Sequence, residues 1–338
     1  RDLTEPQRAA FRALGAYPGR GLAAGAAAAL TGDASIVEGL VDARLVEAAG
    51  AGRYTLHDLM RLFARERLAE TPEAAAPALR RLVDWYVAML AGADLPAAEA
   101  EAENVALTVR HLVDHGAPGE AARLASAADE SLLHRVEQTH FRTISQDRLR
   151  AEEAVGDPVA IAKARTRLGQ VETAFGYVTT GLGLLTAALA EWSAIGDADW
   201  IAFTRQGLGT ALRDAGRHGA AVTALTAARE HYRATGDQRR EVQVLGDLGS
   251  LLLSRHDATA AATLLERARD LSATAPLQVH ERGWVLLMLG AAYALVGRAA
   301  EATPLVEQAR ADSQPLLRPA PLVPGRAGRG PGRTGARA

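Results

Sequence analysis

Few residues in this chain have the type and spacing to do chemistry. His57 and Asp58 are adjacent in Arg53-Tyr54-Thr55-Leu56-His57-Asp58-Leu59-Met60-Arg61-Leu62-Phe63, just ahead of a helical pattern. A His-Asp pair at a helix N-terminus joins orphan backbone donors, the favourable end of the helix dipole and a titratable imidazole, which together suit an anion. The plain alternative is an N-cap. His111 and His115 are spaced i, i+4 with Asp114 nearby, a geometry that holds zinc, but no Glu follows His111 and both read as surface histidines. Lys163 is the only lysine among 38 basic residues and lies in Ala160-Ile161-Ala162-Lys163-Ala164, so the P-loop pattern is missing. There is no G-x-S-x-G elbow, no G-x-G-x-x-G after a strand and no cysteine for a thiolate nucleophile, zinc site or disulfide. The chain is expected to be non-enzymatic and to hold neither metal nor cofactor by itself.

The elements that position these residues have 338 residues to draw on, 48% of them hydrophobic, enough for two domains or one domain plus a repeat array. With 23% charged residues and a net charge of −2, the chain as a whole has no broad basic surface for nucleic acid. No apolar run is expected to reach the ~18–20 residues that cross a bilayer, and a cytoplasmic address with no membrane contact is expected. The chain begins at Arg1 with no initiator Met and no charged-then-apolar leader, and it reads as a piece of something longer. The arginine bias suggests a high-GC genome.

Repetition organises the second half. Gly156-Asp157, Gly196-Asp197 and Gly236-Asp237 recur every 40 residues, with Ala275-Pro276 where a fourth pair would fall. Leu168-Gly169, Leu208-Gly209, Leu248-Gly249 and Leu289-Gly290 keep the same step, as do Gly176, Gly216, His256 and Gly297. Apolar residues between these landmarks follow helical spacing, so each unit reads as helix A, a turn, helix B, then Gly-Asp. A glycine inside a helix costs about 1 kcal/mol relative to alanine, and close approach of a neighbouring helix would explain its recurrence. Gly181, Ala221, Ala261 and Ala302 early in helix B answer the same demand from the other side. A helical hairpin per unit with Leu-Gly in helix A resembles the tetratricopeptide repeat in its longer form, another α-solenoid of similar period being the alternative. The four units span 158–197, 198–237, 238–278 and 279–313.

Residues 71–157 are helical in pattern, with Leu82, Val83, Trp85, Tyr86, Met89 and Leu90 in one stripe and Val105, Leu107, Val109, Leu112 and Val113 in another, but they carry no clean landmark. They read as a connector or degenerate repeats. Residues 315–338 hold five Pro, five Gly and five Arg with no acidic residue, so the tail from 314 is expected to be disordered, its charge of +5 either solvated or able to touch RNA or an acidic surface.

Residues 1–70 read as three short helices, a β-hairpin (Leu45-Val46-Glu47 and Arg53-Tyr54-Thr55-Leu56 around 48–52) and a fourth helix. That order makes a winged helix, with a plain bundle as alternative. Its would-be recognition segment, 33–47, has a net charge of −3, and residues 1–70 balance nine Arg with nine acidic residues. Direct duplex binding is therefore not expected.

The run from Arg53 to Glu66 resembles the MHD-type segment that ends the winged helix of NB-ARC (STAND-class) switch ATPases, particularly AfsR/SARP-like actinobacterial transcriptional regulators. The order of winged helix, helical connector with Leu82-Val83-Asp84-Trp85-Tyr86, then tetratricopeptide repeats agrees. The resemblance implies the C-terminal portion of such a regulator, its own nucleotide-binding domain lying upstream and ADP or ATP belonging to the complete protein. It also implies that His57 reaches the β-phosphate of ADP and that Asp58 orients the local backbone. Leu56 replaces the motif's Met, and the P-loop and Walker B acid are absent.

The expected fold is mainly α, a small winged helix followed by a tetratricopeptide-type solenoid. If Leu-Gly occupies the seventh and eighth helix-A positions, the second, fifth, ninth and twelfth face the groove. These include Lys163, Gln170, Gln206, Thr210, Arg213, Gln243 and Trp284, a mixed polar surface suited to a protein or peptide ligand; solvated positions are the alternative. The expected function is a sensor and interaction region of a transcriptional regulator. A free-standing scaffold and a DNA-binding protein are the other readings.

Overall fold

The computed structural model describes residues 3–19, 21–50, 52–92, 95–132, 138–275 and 277–313, so the tail expected to be disordered lies outside the described residues. The chain divides into two compact units, Arg1–His231 and Tyr232–Ala338.

The first unit opens with α1 (Glu5–Leu14), started by a capping box in which Thr4 and Gln7 satisfy each other's backbone. There follow β1 (Gly21–Ala23), α2 (Ala24–Thr31), α3 (Ala34–Asp42, capped by Asp33), β2 (Glu47–Gly50), β3 (Arg53–Thr55) and α4 (Asp58–Ala69). The three strands make an antiparallel sheet in the order β1-β3-β2, with Tyr54 opposite both Leu22 and Ala48. Two features differ from expectation. β1 was not foreseen, and the hairpin begins at Glu47, so Ala48 to Gly50 belong to a strand rather than to the turn. Leu45 and Val46 are diverted because Arg44 is left-handed (φ 56°) and both following amides donate to Leu40 O, which buries Val46 beneath α3.

A 3-10 turn (Pro72–Ala74) leads into α5 (Ala75–Ala91), α6 (Leu95–Asp114), α7 (Pro118–Leu132) and α8 (Gln138–Val155). Phe11, Leu14, Leu22, Leu30 and Leu40 share one apolar cluster with Leu82, Tyr86, Val105, Val109 and Leu124, so the module and these helices are built on a common core. Of the expected stripes, Leu82, Val83, Tyr86, Leu90, Val105, Val109 and Leu112 are buried.

Hairpins then follow: α9 (Pro158–Ala174) with α10 (Val178–Ile195), α11 (Ala198–Asp214) with α12 (His218–Thr235), α13 (Gln238–Ser254) with α14 (Ala258–Ser272), and α15 (Val279–Leu295) with α16 (Ala299–Ser313). The Gly-Asp landmark is two caps in succession. Gly156, Gly196 and Gly236 are left-handed (φ 86°, 85° and 74°) and close one helix. Asp157, Asp197 and Asp237 then accept from the Val159, Trp200 and Arg240 amides to open the next. Where the fourth Asp is missing, Gln278 starts α15 through a capping box with Glu281.

The Leu-Gly landmark is a contact. A Cβ on Gly169, Gly209 or Gly249 would lie 2.7, 2.5 or 2.6 Å from Leu185, Leu225 or Leu265 of the paired helix B, and one on Gly290 would lie 2.7 Å from Val306. Inside each hairpin an amide reaches back five residues, from Tyr177, Arg217, Asp257 and Arg298 to the carbonyls of Glu172, Leu212, Leu252 and Tyr293, at 2.8, 2.8, 3.0 and 2.8 Å. The same bond joins Ala117 to Leu112 at 2.8 Å with Gly116 at φ 76°. The α6–α7 turn therefore has the geometry of the others, and Ala121 and Ala128, fully buried, match Ala221 and Ala228 of α12.

One expectation about membranes needs correction. Among the described helices α10 is long and apolar enough to cross a bilayer by length and composition; here Leu185, Ala188 and Trp192 of that helix are buried against its hairpin.

Candidate functional site

His57 is the N-cap of α4, its Nδ1 accepting from the Leu59 amide at 3.4 Å, and Asp58 is the first helical residue. Both side chains are exposed, whereas Leu56 beside them is 6% exposed and anchors the turn. α4 is held by one fully buried residue, Ala64, and by Phe63 tilted against Phe11 at 5.7 Å. Leu68 also packs against the core, whereas Leu59 and Leu62 are each 65% exposed and Phe63 42%. Leu59, Leu62 and Phe63 thus leave exposed apolar area on the helix that His57 caps.

Three residues before Leu56, Arg53 enters a buried polar network that the sequence reading missed. Its Nη1 lies 2.5 Å from Glu101 Oε1 of α6, a carboxylate that also accepts from Tyr86 OH at 3.1 Å and Asn104 Nδ2 at 3.0 Å. Arg53 Nη2, Asn104 Nδ2 and Tyr17 OH all donate to Gly21 O of β1, at 3.2, 3.1 and 3.0 Å. Burial pushes the Tyr17 and Tyr86 phenols well above their ordinary range, so both act here as neutral hydroxyls. The one sequence signal was Glu101 and Asn104 inside an otherwise apolar stripe; their partners are too far along the chain to be read from spacing.

The proposed groove residues divide between the two units. In the first, α9 carries Lys163 and Gln170 while α11 carries Gln206, Thr210 and Arg213, all half-buried. Thr210 donates to its own Gly207 O at 2.7 Å, and Arg213 is paired with Asp214 at 2.8 Å. In the second, Gln243 of α13 donates to Glu281 at 2.5 Å, and Trp284 of α15 is 43% exposed.

An aromatic cluster on α9 to α11 adds to this face. Trp192 is fully buried, donates from Nε1 to Thr166 Oγ1 at 3.0 Å and stacks on Trp200 at 5.0 Å. Trp200 meets Phe203 edge-on at 5.3 Å. Lys163 Nζ stands 5.6 Å from the Trp200 ring and Arg167 5.3 Å from that of Phe203, so each cation is placed over an aromatic face. Phe203 occupies the same second position of helix A as Lys163, so repeat arithmetic pointed to it.

The His111 and His115 rings lie 4.0 Å apart, tilted by 30°, and no group of three metal-binding side chains forms among the described residues. His111 is half-buried rather than on the surface. Burial, then the neighbouring His115 and Arg65, pushes its imidazole down to about 4.

These features define the class: a mainly α protein of tetratricopeptide-type hairpins with a small mixed α/β module at its start. No family model matches the chain. It is 32% identical over 212 residues to the regulatory protein AfsR of Streptomyces griseus, covering 52% of this chain and 22% of that protein. To AfsR of Streptomyces coelicolor it is 40% identical over 102 residues, covering 27% and 10%. The chain thus spans about a fifth of the length of its curated relatives or less, and the resemblance to AfsR-like tetratricopeptide regulators stands. BtubC (BKLC) from P. vanneervenii has a similar fold, with a TM-score of 0.51 at 16% identity over 72% of this chain and 100% of that one.

Proposed function

We propose that this chain is the sensor and partner-binding portion of an AfsR-like transcriptional regulator. It contributes one nucleotide contact and no catalytic group. The similarity to AfsR, combined with repeats that present Lys163, Arg167 and Phe203 on their helix-A faces, carries the reading. Residues 1–70 act as a winged helix, which the order α1-β1-α2-α3-β2-β3 supports. The negative charge of 33–47 sets this module against a phosphate backbone.

His57 and Asp58, exposed at the start of α4, suit one contact with an anion. They do not by themselves make a nucleotide site, so ADP or ATP would be held mainly by an upstream nucleotide-binding domain, which would also cover Leu59, Leu62 and Phe63. A ligand on the repeats and a nucleotide at His57 then bias one two-state switch from its two ends.

Calorimetric titration of ADP tests this, using the chain alone and the chain preceded by its natural upstream residues. Binding in the longer protein only, weakened by His57→Ala, supports the switch. Absence in both leaves a repeat scaffold. For the repeat face an extended acidic peptide is the matching ligand class. Lys163→Glu with Arg167→Glu is expected to weaken acidic-peptide binding while helicity is retained; unchanged affinity would remove both residues from the site.

A further inference from the structure

The second unit contains a helix seat twice, once filled and, among the described residues, once open. In the filled seat α15 lies on the α13–α14 hairpin. Ala262 and Leu265 of α14 are buried, Leu265 completely, in a cluster with Leu289, Ala292 and Tyr293 of α15. A Cβ on Gly246 of α13 would stand 3.4 Å from the Trp284 ring. At the polar end, Glu266 accepts from Tyr293 OH at 2.7 Å and from Arg298 Nη1 at 2.9 Å, and Arg298 also lies over the Tyr293 ring at 3.8 Å.

Moving 41 residues along the chain turns Gly246, Ala262, Leu265 and Glu266 into Leu287, Thr303, Val306 and Glu307. With Ala291 and Ala294 these line a groove of ≈ 400 Å³ between α15 and α16. Here Val306 is 39% exposed and Leu287 42%, where Leu265 is 0%. Glu307 has no hydrogen-bond or ion-pair partner among the described residues, where Glu266 has two. The open seat keeps the carboxylate and an apolar floor, with Leu287 in place of Gly246, and no helix covers it among the described residues.

We propose that the α15–α16 groove binds an amphipathic helix of a partner protein, one carrying a tyrosine and, five residues on, an arginine. The apolar face of that helix would cover Leu287 and Val306, while its hydroxyl and guanidinium would meet Glu307 as Tyr293 and Arg298 meet Glu266. The carboxylate supplies the charge complementarity. A second folded copy cannot offer α15 for this purpose, since its Leu289, Ala292 and Tyr293 are already buried.

The test uses the full chain and a labelled synthetic peptide of residues 279–298, the segment that fills the equivalent seat, with lysines added at its ends. Fluorescence anisotropy is expected to show saturable binding that weakens about tenfold in Glu307→Arg, the scale of one charge-assisted pair, and recovers when the peptide carries Arg298→Glu. Thr303→Trp, which fills the groove from an exposed position, is expected to abolish binding without lowering Tm. The proposal is overturned by no saturable binding, by binding indifferent to Glu307→Arg, or by a loss that the charge-reversed peptide does not rescue. Sedimentation completes the test: self-association abolished by Glu307→Arg would give the groove to a second copy and likewise overturn the proposal.

Discussion

At the scale of residues, burial decides what the two notable histidine positions do. His57 is exposed at a helix start, where among the described residues its ring accepts from the Leu59 amide. If the switch proposed above operates in a longer regulator, His57→Ala there is expected to raise activity in the absence of stimulus, read as basal transcription from a target promoter; an unchanged basal level would count against the proposed nucleotide contact. His111 is governed by the fold instead. Its imidazole, pushed down to about 4, stays neutral in the folded chain while the unfolded chain takes up a proton near the usual value of 6.5. The unfolded state therefore binds more protons between those values, and stability falls as pH drops from about 6.5 toward 4. After discounting for partial exposure the loss is roughly 1–2 kcal/mol. Urea unfolding at pH 7 and pH 4.5 is expected to show a smaller acid penalty in His111→Gln by that amount, and an identical penalty would mean that His111 titrates normally.

At the scale of elements, the hairpins are set by complementary sizes rather than by particular residues. Gly209 accepts Leu225 so closely that Gly209→Val would drive a side chain into it, an overpacking cost of about 1–3 kcal/mol. Trimming the leucine at the same time should restore part of the loss. Gly209→Val with Leu225→Ala is expected to be more stable in thermal unfolding than Gly209→Val alone, a coupling that disappears if the pair is not in contact. The protein already contains the reversed pair. In the α6–α7 hairpin, Val109 stands at the glycine position and Ala125 at the leucine position, both completely buried. That reversal explains what was legible. Gly-Asp and Leu-Gly could be read because the caps and the helix contacts are met by the same residue types from one unit to the next, so four hairpins stood out. The fifth kept its turn and its small residues but exchanged sizes, and it passed as a degenerate connector. β1 was invisible for a different reason: three residues of Gly-Leu-Ala carry no alternation, and its pairing is supplied by β3, some thirty positions later.

At the scale of the whole molecule, the function proposed here needs a physical path from repeats to His57, and the first unit contains a candidate joint. Arg53 sits on β3, four residues before His57, and its guanidinium is paired to Glu101 on α6, the first helix of the hairpin that resembles the repeats. Glu101 is 2% exposed, and removing the cation leaves a buried carboxylate with two neutral donors. Breaking a buried pair costs about 3–5 kcal/mol, reduced to roughly 1–3 here because Arg53 is partly exposed. Nothing in the spacing of residues 17, 53, 86, 101 and 104 announces this network, since each polar group is explained only by a partner on another element. Its shared character makes a prediction that simple destabilisation does not. Hydrogen exchange on Arg53→Ala should quicken at Tyr54 and Thr55 of β3 and, in the same variant, around Glu101 and Asn104 of α6. The α9–α10 hairpin should keep wild-type rates. If β3 loosens and α6 does not, the two elements open independently and the joint transmits nothing. If both open together, a ligand that shifts α6 has a route to the turn carrying His57, because the element that holds one holds the other.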